Sequence, residues 1–231
     1  MYGRVNLGYK EDIVLKQKNE KQPVSIHYND NTYIIVYNGQ IYNSNTITKE
    51  LQNHGFRFSE HDNIEVLLKA FIYFGNDVVT KLNGIFSFAI WDENKQELFL
   101  ARDHFGVKPL YYTLNNGTFI FASEIKSILK FPEIKAKVDA TGISELFGIG
   151  PAHTPGISVF KDIYEIKPAH FGIFNKNGFK THKYWSLENK PHTDTFKQTC
   201  DKIYYLLEDS IKRQTVSDSP VSLLLSRWFG F

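Results

Sequence analysis

The sequence predicts an α+β fold built on antiparallel sheets, and three observations carry that reading. Short runs rich in β-branched and aromatic residues fill the first two thirds of the chain. Asn, Gly, Asp and Lys bound those runs with turn chemistry, and two amphipathic helical stretches interrupt them. A sheet faced by such helices buries both kinds of apolar surface at once.

The strands are expected at "TYIIVYNG" (32–39), "IFSFAIWD" (85–92), "ELFLARD" (97–103), "PLYYTL" (109–114) and "GTFIFAS" (117–123). The connectors "DENKQ" and "NNG" read as hairpin loops, and Asn116-Gly117 favours a tight reversal between Tyr112 and Phe119. One helix is expected over 63–75, where Val66, Leu67, Ala70, Phe71 and Phe74 form a stripe, and another over 123–131 with Ser123 as N-cap. "GIGPAHTPG" (148–156) lacks the Lys-Ser/Thr of a phosphate loop and reads as a connector. Further on, Phe196, Cys200, Ile203, Leu206, Leu207 and Ile211 recur at helical spacing, capped by Thr193 or Asp194. That stripe makes Cys200 a buried structural thiol. The apolar strand "SPVSLLLS" and then "RWFGF" end the sequence, and a parallel-type strand there implies a second domain beyond it.

Composition removes several function classes. Among 231 residues, 27 basic and 25 acidic side chains are interspersed, so no basic field suited to nucleic acid exists. A single cysteine rules out an internal disulfide framework and fits a reducing, cytoplasmic location. The opening residues lack the apolar core of a signal peptide, and no apolar run reaches membrane-spanning length. Eight histidines show no metal-ligand spacing, so no metal is assigned. Arg102 and Asp103, adjacent and opposite in charge, are expected either to pair with each other and brace the sheet near the site or to stand as solvated surface charges.

Taken alone, the Asn-Gly of "VYNGQIYN" (36–43) is more often a turn than a site. It is followed in order by "LNGIFSFAIWD" (82–92), "ARDHFGVKPLYY" (101–112), "FASEIKSIL" (121–129), "KYW" (183–185) and "SDSPVSLLLS" (217–226). Together these resemble the class II glutamine amidotransferase domain of the glutamine-hydrolysing asparagine synthetase family, the N-terminal nucleophile hydrolases. The resemblance implies a four-layer sandwich, helices around two antiparallel sheets, incomplete here, followed by the start of an α/β ATP-pyrophosphatase domain. It divides the chain into an amidotransferase domain (1–186), a linker helix and first synthetase strand (187–226), and a tail (227–231) that back-translation suggests is out of frame.

The resemblance also implies the chemistry. A cysteine freed at its own α-amine attacks the glutamine amide, and the tetrahedral oxyanion needs preorganised donors. Asn38 (side-chain amide) and Gly39 (backbone N–H) would supply them. Gln40 stands where the family has a Glu for the glutamine ammonium. A second carboxylate of the family falls at Asn63, or one residue earlier at Asp62, and the choice stays open. Each amide in place of a carboxylate weakens that contact by roughly 1 kcal/mol or more. Leu224, Leu225 and Ser226 resemble the edge of an ATP site.

Tyr2 stands where "MYG" mimics the family's opening, and a phenol is a poor acyl acceptor near neutral pH. The spacing to Asn38 is also short, so Met1 reads as an internal start and the nucleophile as absent. The expected function is thus the glutaminase fragment of a glutamine-dependent asparagine synthetase, without catalysis as given. L-Glutamine is the expected ligand, bound weakly or not at all; ATP, Mg2+ and aspartate belong to the intact enzyme, and the family admits a homodimer. The alternatives are a non-catalytic partner-binding module or relic, and the amidotransferase domain of another amide-forming synthetase.

Overall fold

Nine strands account for most of the backbone pairing in a computed structural model that describes residues 5–8, 22–59, 62–148 and 154–215. The described residues divide into a larger unit up to Leu187 and a smaller one from Glu188.

In the larger unit, β1 (Val24–Tyr28), β2 (Asn31–Ile41), β3 (Gly84–Asp92), β4 (Glu97–Arg102), β8 (His170–Asn175) and β9 (Gly178–Lys183) form one antiparallel sheet in the order β1-β2-β3-β4-β8-β9. A second sheet has the order β6-β5-β7, from β5 (Tyr111–Asn115), β6 (Thr118–Ala122) and β7 (Tyr164–Glu165). The turn chemistry explains the hairpins. Asn116 and Gly117 both take positive φ, 47° and 79°, and close a two-residue loop whose twist matches the strands it joins. Asn29 and Asp30 do the same between β1 and β2.

Alternation along the strands builds the layers. Ile35, Tyr37 and Ile41 of β2, with Phe86, Phe88 and Ile90 of β3, pack on α1 (Ser44–Asn53) and α2 (Asn63–Phe74). The opposite face, with Val36, Ala89, Trp91, Leu98 and Leu100, packs on Leu110 and Ile166 and on Tyr112 and Phe119 of the second sheet. Beyond that sheet, Ile120 and Ile163 enclose Ile128 of α4 (Ile125–Ile128). Strand β3 is covered on both sides, which is why its last seven residues are all buried. The order helix, sheet, sheet, helix is the sandwich expected from the sequence.

Several elements depart from expectation. The helix expected over 123–131 is one turn, α4, preceded by Glu124 without a side-chain cap; Ser123 takes no part. Helices α1, α3 (Val78–Lys81) and α5 (Ala140–Gly148), and strands β1, β8 and β9, carry too short or too polar a pattern to stand out. In the smaller unit, α6 (Phe196–Gln214) starts at Thr195 rather than Thr193 or Asp194. A reciprocal cap fixes that start: the Gln198 backbone N–H donates to Thr195 Oγ1 (3.4 Å) and the Thr195 N–H donates to Gln198 Oε1 (2.9 Å). No residue of α6 is buried, Phe196 being 86% exposed, so Cys200 is an exposed thiol and not a core one. No helix among the described residues is long and apolar enough to cross a membrane. The segment 217–226 lies outside the described residues.

Leu67 is fully buried between α2 and the large sheet, whereas Tyr204 on α6 is 70% exposed. Leu67→Ala should therefore lower stability by about 2–5 kcal/mol in urea denaturation, and Tyr204→Ala by no more than about 0.5 kcal/mol.

Candidate functional site

Strand β2 carries Asn38 and Gly39 within the sheet, opposite Ser87 and Phe86 of β3, so the dipeptide is not a turn. Gly39 has φ +149°, and a Cβ there would lie 2.1 Å from the Ile85 carbonyl oxygen and 2.7 Å from Phe86 Cα. Gly84, across the ladder, would place its own Cβ 2.2 Å from the Gln40 carbonyl oxygen. Glycine is thus required by the close approach of two strand backbones, a reason different from the one its motif suggests.

The direction of the Gly39 N–H follows from the pairing. Phe86 spends its own backbone on Asp103, accepting from the Asp103 N–H (2.9 Å) and donating to Asp103 Oδ2 (3.3 Å). Its N–H and C=O therefore face β4, and the opposed Gly39 turns its N–H to the other edge of β2. On that edge β1 pairs no further than Ile35. Gln22 closes the next position, accepting from the Tyr37 N–H (2.6 Å) and donating Nε2–H to the Tyr37 carbonyl (2.9 Å). The Gly39 N–H lies one residue pair beyond this brace.

Around the strand end sits a set of buried oxygens. The Tyr37 phenol, on a residue 4% exposed, and Asp62 Oδ2 are both buried without a hydrogen-bond partner among the described residues. Burial first, then the charge of Asp62 and the neighbouring Tyr42, push the Tyr37 phenol well above its ordinary pKa. Tyr42 is pushed up by burial and by Asp103. Asp62 stands at the N-cap of α2 but makes no capping hydrogen bond, and Asn63 is the first helical residue. The charge of Asp62 is thus near enough to raise the Tyr37 phenol; Asn38, Gly39 and Gln40 are half-buried. Asn43 fastens the far end of the motif, donating to the Lys81 carbonyl (2.8 Å) and accepting from the Asn83 N–H (2.8 Å).

Arg102 and Asp103 do not pair with each other, because successive strand residues face opposite sides. The Asp103 carboxylate accepts backbone N–H groups from Phe86, Phe105 (3.1 Å), Val107 (3.0 Å) and Lys108 (2.9 Å). The Arg102 guanidinium donates to the carbonyls of Gly106, Lys108 and Ile166 and pairs with Glu165 at 2.7 Å.

The sequence-predicted Leu224, Leu225 and Ser226 lie outside the described residues. Tyr37, Tyr42 and Gln22 were missed by sequence reasoning; the one available signal was a tyrosine at a β2 position whose alternating neighbours, Ile35 and Ile41, are apolar. A cavity of about 380 Å3 at the other end of β2 and β3 is lined by Val5, Leu7, Pro23, Ile34, Trp91, Glu93 and Gln96, with no serine, threonine or cysteine among them. Among the described residues no group of three or more His, Cys, Asp or Glu could hold a metal.

The Glutamine amidotransferase domain family matches residues 3–185. The chain belongs to that family. Among curated relatives, glutamine-hydrolyzing asparagine synthetase 3 of Bacillus subtilis (strain 168) is 46% identical over 222 residues, covering 96% of this chain and 36% of that protein. The corresponding synthetase 1 of the same organism is 32% identical over 227 residues, 96% of this chain and 35% of that protein. The chain therefore spans about a third of the length of these relatives, the part that is their glutaminase domain. A solved glutamine phosphoribosylpyrophosphate amidotransferase from B. subtilis shares the fold at 20% identity and a TM-score of 0.50, over 71% of this chain and 31% of that one. The amidotransferase domain is thus an α+β sandwich of the N-terminal nucleophile hydrolase kind.

Arg102 and Glu165 are 5% and 2% exposed. Glu165→Gln should cost the amidotransferase domain about 3 kcal/mol or more in urea denaturation, since it leaves a buried guanidinium with carbonyls alone.

Proposed function

We propose that this amidotransferase domain binds L-glutamine at the end of β2 as the glutaminase part of a glutamine-dependent asparagine synthetase. The observation that carries the reading is the edge of β2 at Gly39, which no described strand pairs, together with the half-buried Asp62, whose Oδ2 has no hydrogen-bond partner among the described residues. An edge N–H and an adjacent side-chain amide are fixed, neutral donors, suited to the oxygen of the glutamine side-chain amide and to the oxyanion formed when it is attacked. Asn38 and Gly39 take that role.

Asp62 takes the glutamine ammonium. A carboxylate is a stronger partner for a cation than an amide, and its partial burial strengthens the contact, so Asp62 is preferred over Asn63. Gln40 adds a neutral contact. The attacking thiolate is not among the residues of this site: Cys200 is the chain's one cysteine and belongs to the smaller unit. Binding without hydrolysis follows for the chain as given. ATP, Mg2+ and aspartate would be handled by the remaining two thirds of a longer protein like the relatives, with Leu224, Leu225 and Ser226 at the edge of its nucleotide site.

Calorimetric titration of the chain with L-glutamine, together with an ammonia assay, tests this. Saturable binding without ammonia release is expected, and Asp62→Asn should weaken the binding about tenfold. Unchanged affinity in that variant sinks the assignment of Asp62, and measurable turnover sinks the reading of a binding-only chain.

A further inference from the structure

We propose that the Tyr37 hydroxyl is a further specificity-determining group of this site, acting with Asp62 on the amino-acid end of the ligand. The inference rests on the glutamine reading above. Its basis is a pair of buried oxygens without a hydrogen-bond partner among the described residues: the phenol of Tyr37, a residue 4% exposed, and Asp62 Oδ2. Buried polar atoms are almost always hydrogen-bonded, because leaving one unpaired costs about 1–3 kcal/mol. Here two occur close enough to interact electrostatically, yet neither bonds the other. A third group that satisfies both removes the cost.

The chemistry of the two oxygens selects that group. Ionised Asp62 only accepts hydrogen bonds, whereas the Tyr37 hydroxyl both donates and accepts. An anion alone would be repelled by Asp62, and an apolar group would leave both oxygens unpaired. The α-ammonium of an amino acid satisfies both, donating to the Asp62 carboxylate and to the Tyr37 oxygen. Because burial and Asp62 push the phenol upward, Tyr37 stays neutral at neutral pH and offers the ammonium an oxygen lone pair. Tyr37 is also anchored for the task, since Gln22 holds both its backbone N–H and its carbonyl. With Gln40 offering no charge, the Tyr37 oxygen supplements the single carboxylate.

The test titrates the whole chain and its Tyr37→Phe variant with L-glutamine and with 4-carbamoylbutanoate, which lacks the α-amino group. Tyr37→Phe should weaken L-glutamine about 5- to 10-fold and leave the amino-free analogue within about twofold. Equal loss for both ligands would assign Tyr37 a structural role and overturn the proposal; unchanged affinity for both would mean that water alone bridges the oxygens, and also overturns it. Absence of L-glutamine binding to the unsubstituted chain overturns the underlying reading and this inference with it. Should Tyr37→Phe not fold, the tyrosine ring resonances of the unsubstituted chain decide: Tyr37 must shift with L-glutamine and not with the analogue, and no such difference defeats the proposal.

Discussion

A carboxylate and a guanidinium, on neighbouring residues and opposite faces of one strand end, hold the two sheets together. Charges so deeply buried are tolerated only when every lone pair and every N–H has a partner. Asp103 collects four backbone N–H groups, and Arg102 collects three carbonyls and Glu165. The segment they grip, 103–108, is the passage from β4 in the six-stranded sheet towards β5 in the three-stranded one. The relation of the sheets therefore depends on satisfied polarity as much as on the apolar layer between them. Tyr184 adds to the same knot by donating its hydroxyl to the Arg102 carbonyl (2.7 Å), while His104 and Phe105 lie against Trp185.

The site inherits its shape from this arrangement. Asp103 draws the Phe86 backbone toward β4, which leaves the opposing Gly39 with its N–H on the outer edge of β2. Asn43 and Asn83 then tie the end of the motif to the entry of β3. A donor presented in this manner is rigid because the strand that carries it is held on both flanks, the condition that electrostatic stabilisation of a developing charge demands.

Much of the sandwich was legible because strands such as "IFSFAIWD" and the stripe of α2 carry their burial in local pattern. Strand β1, by contrast, is recognisable mainly through its register with β2, and α1 shows only Ile47, Thr48 and Leu51 as a buried face. The Arg102–Glu165 pair was unreadable since it joins residues far apart in sequence, and the adjacent Asp103 offered a misleading partner. Within the site, Asn38 and Gly39 were visible through a family motif. Tyr37 was not: its significance comes from an unsatisfied oxygen, a property of the packed molecule that no residue type announces. That Asp62 precedes the first turn of α2 while Asn63 begins it likewise needed the helix start in three dimensions.

Gly39 and Gly84 each occupy space that the other's strand would otherwise contest. An added methyl group at either collides with backbone, which cannot swing aside as a side chain can. Selection for a foldable sheet alone would therefore hold the glycine of the Asn-Gly motif in place, whatever becomes of the chemistry around it. Across lineages its persistence would record architecture; drift at Asn38 or Asp62, which no such collision constrains, would be the more sensitive register of whether glutamine still matters.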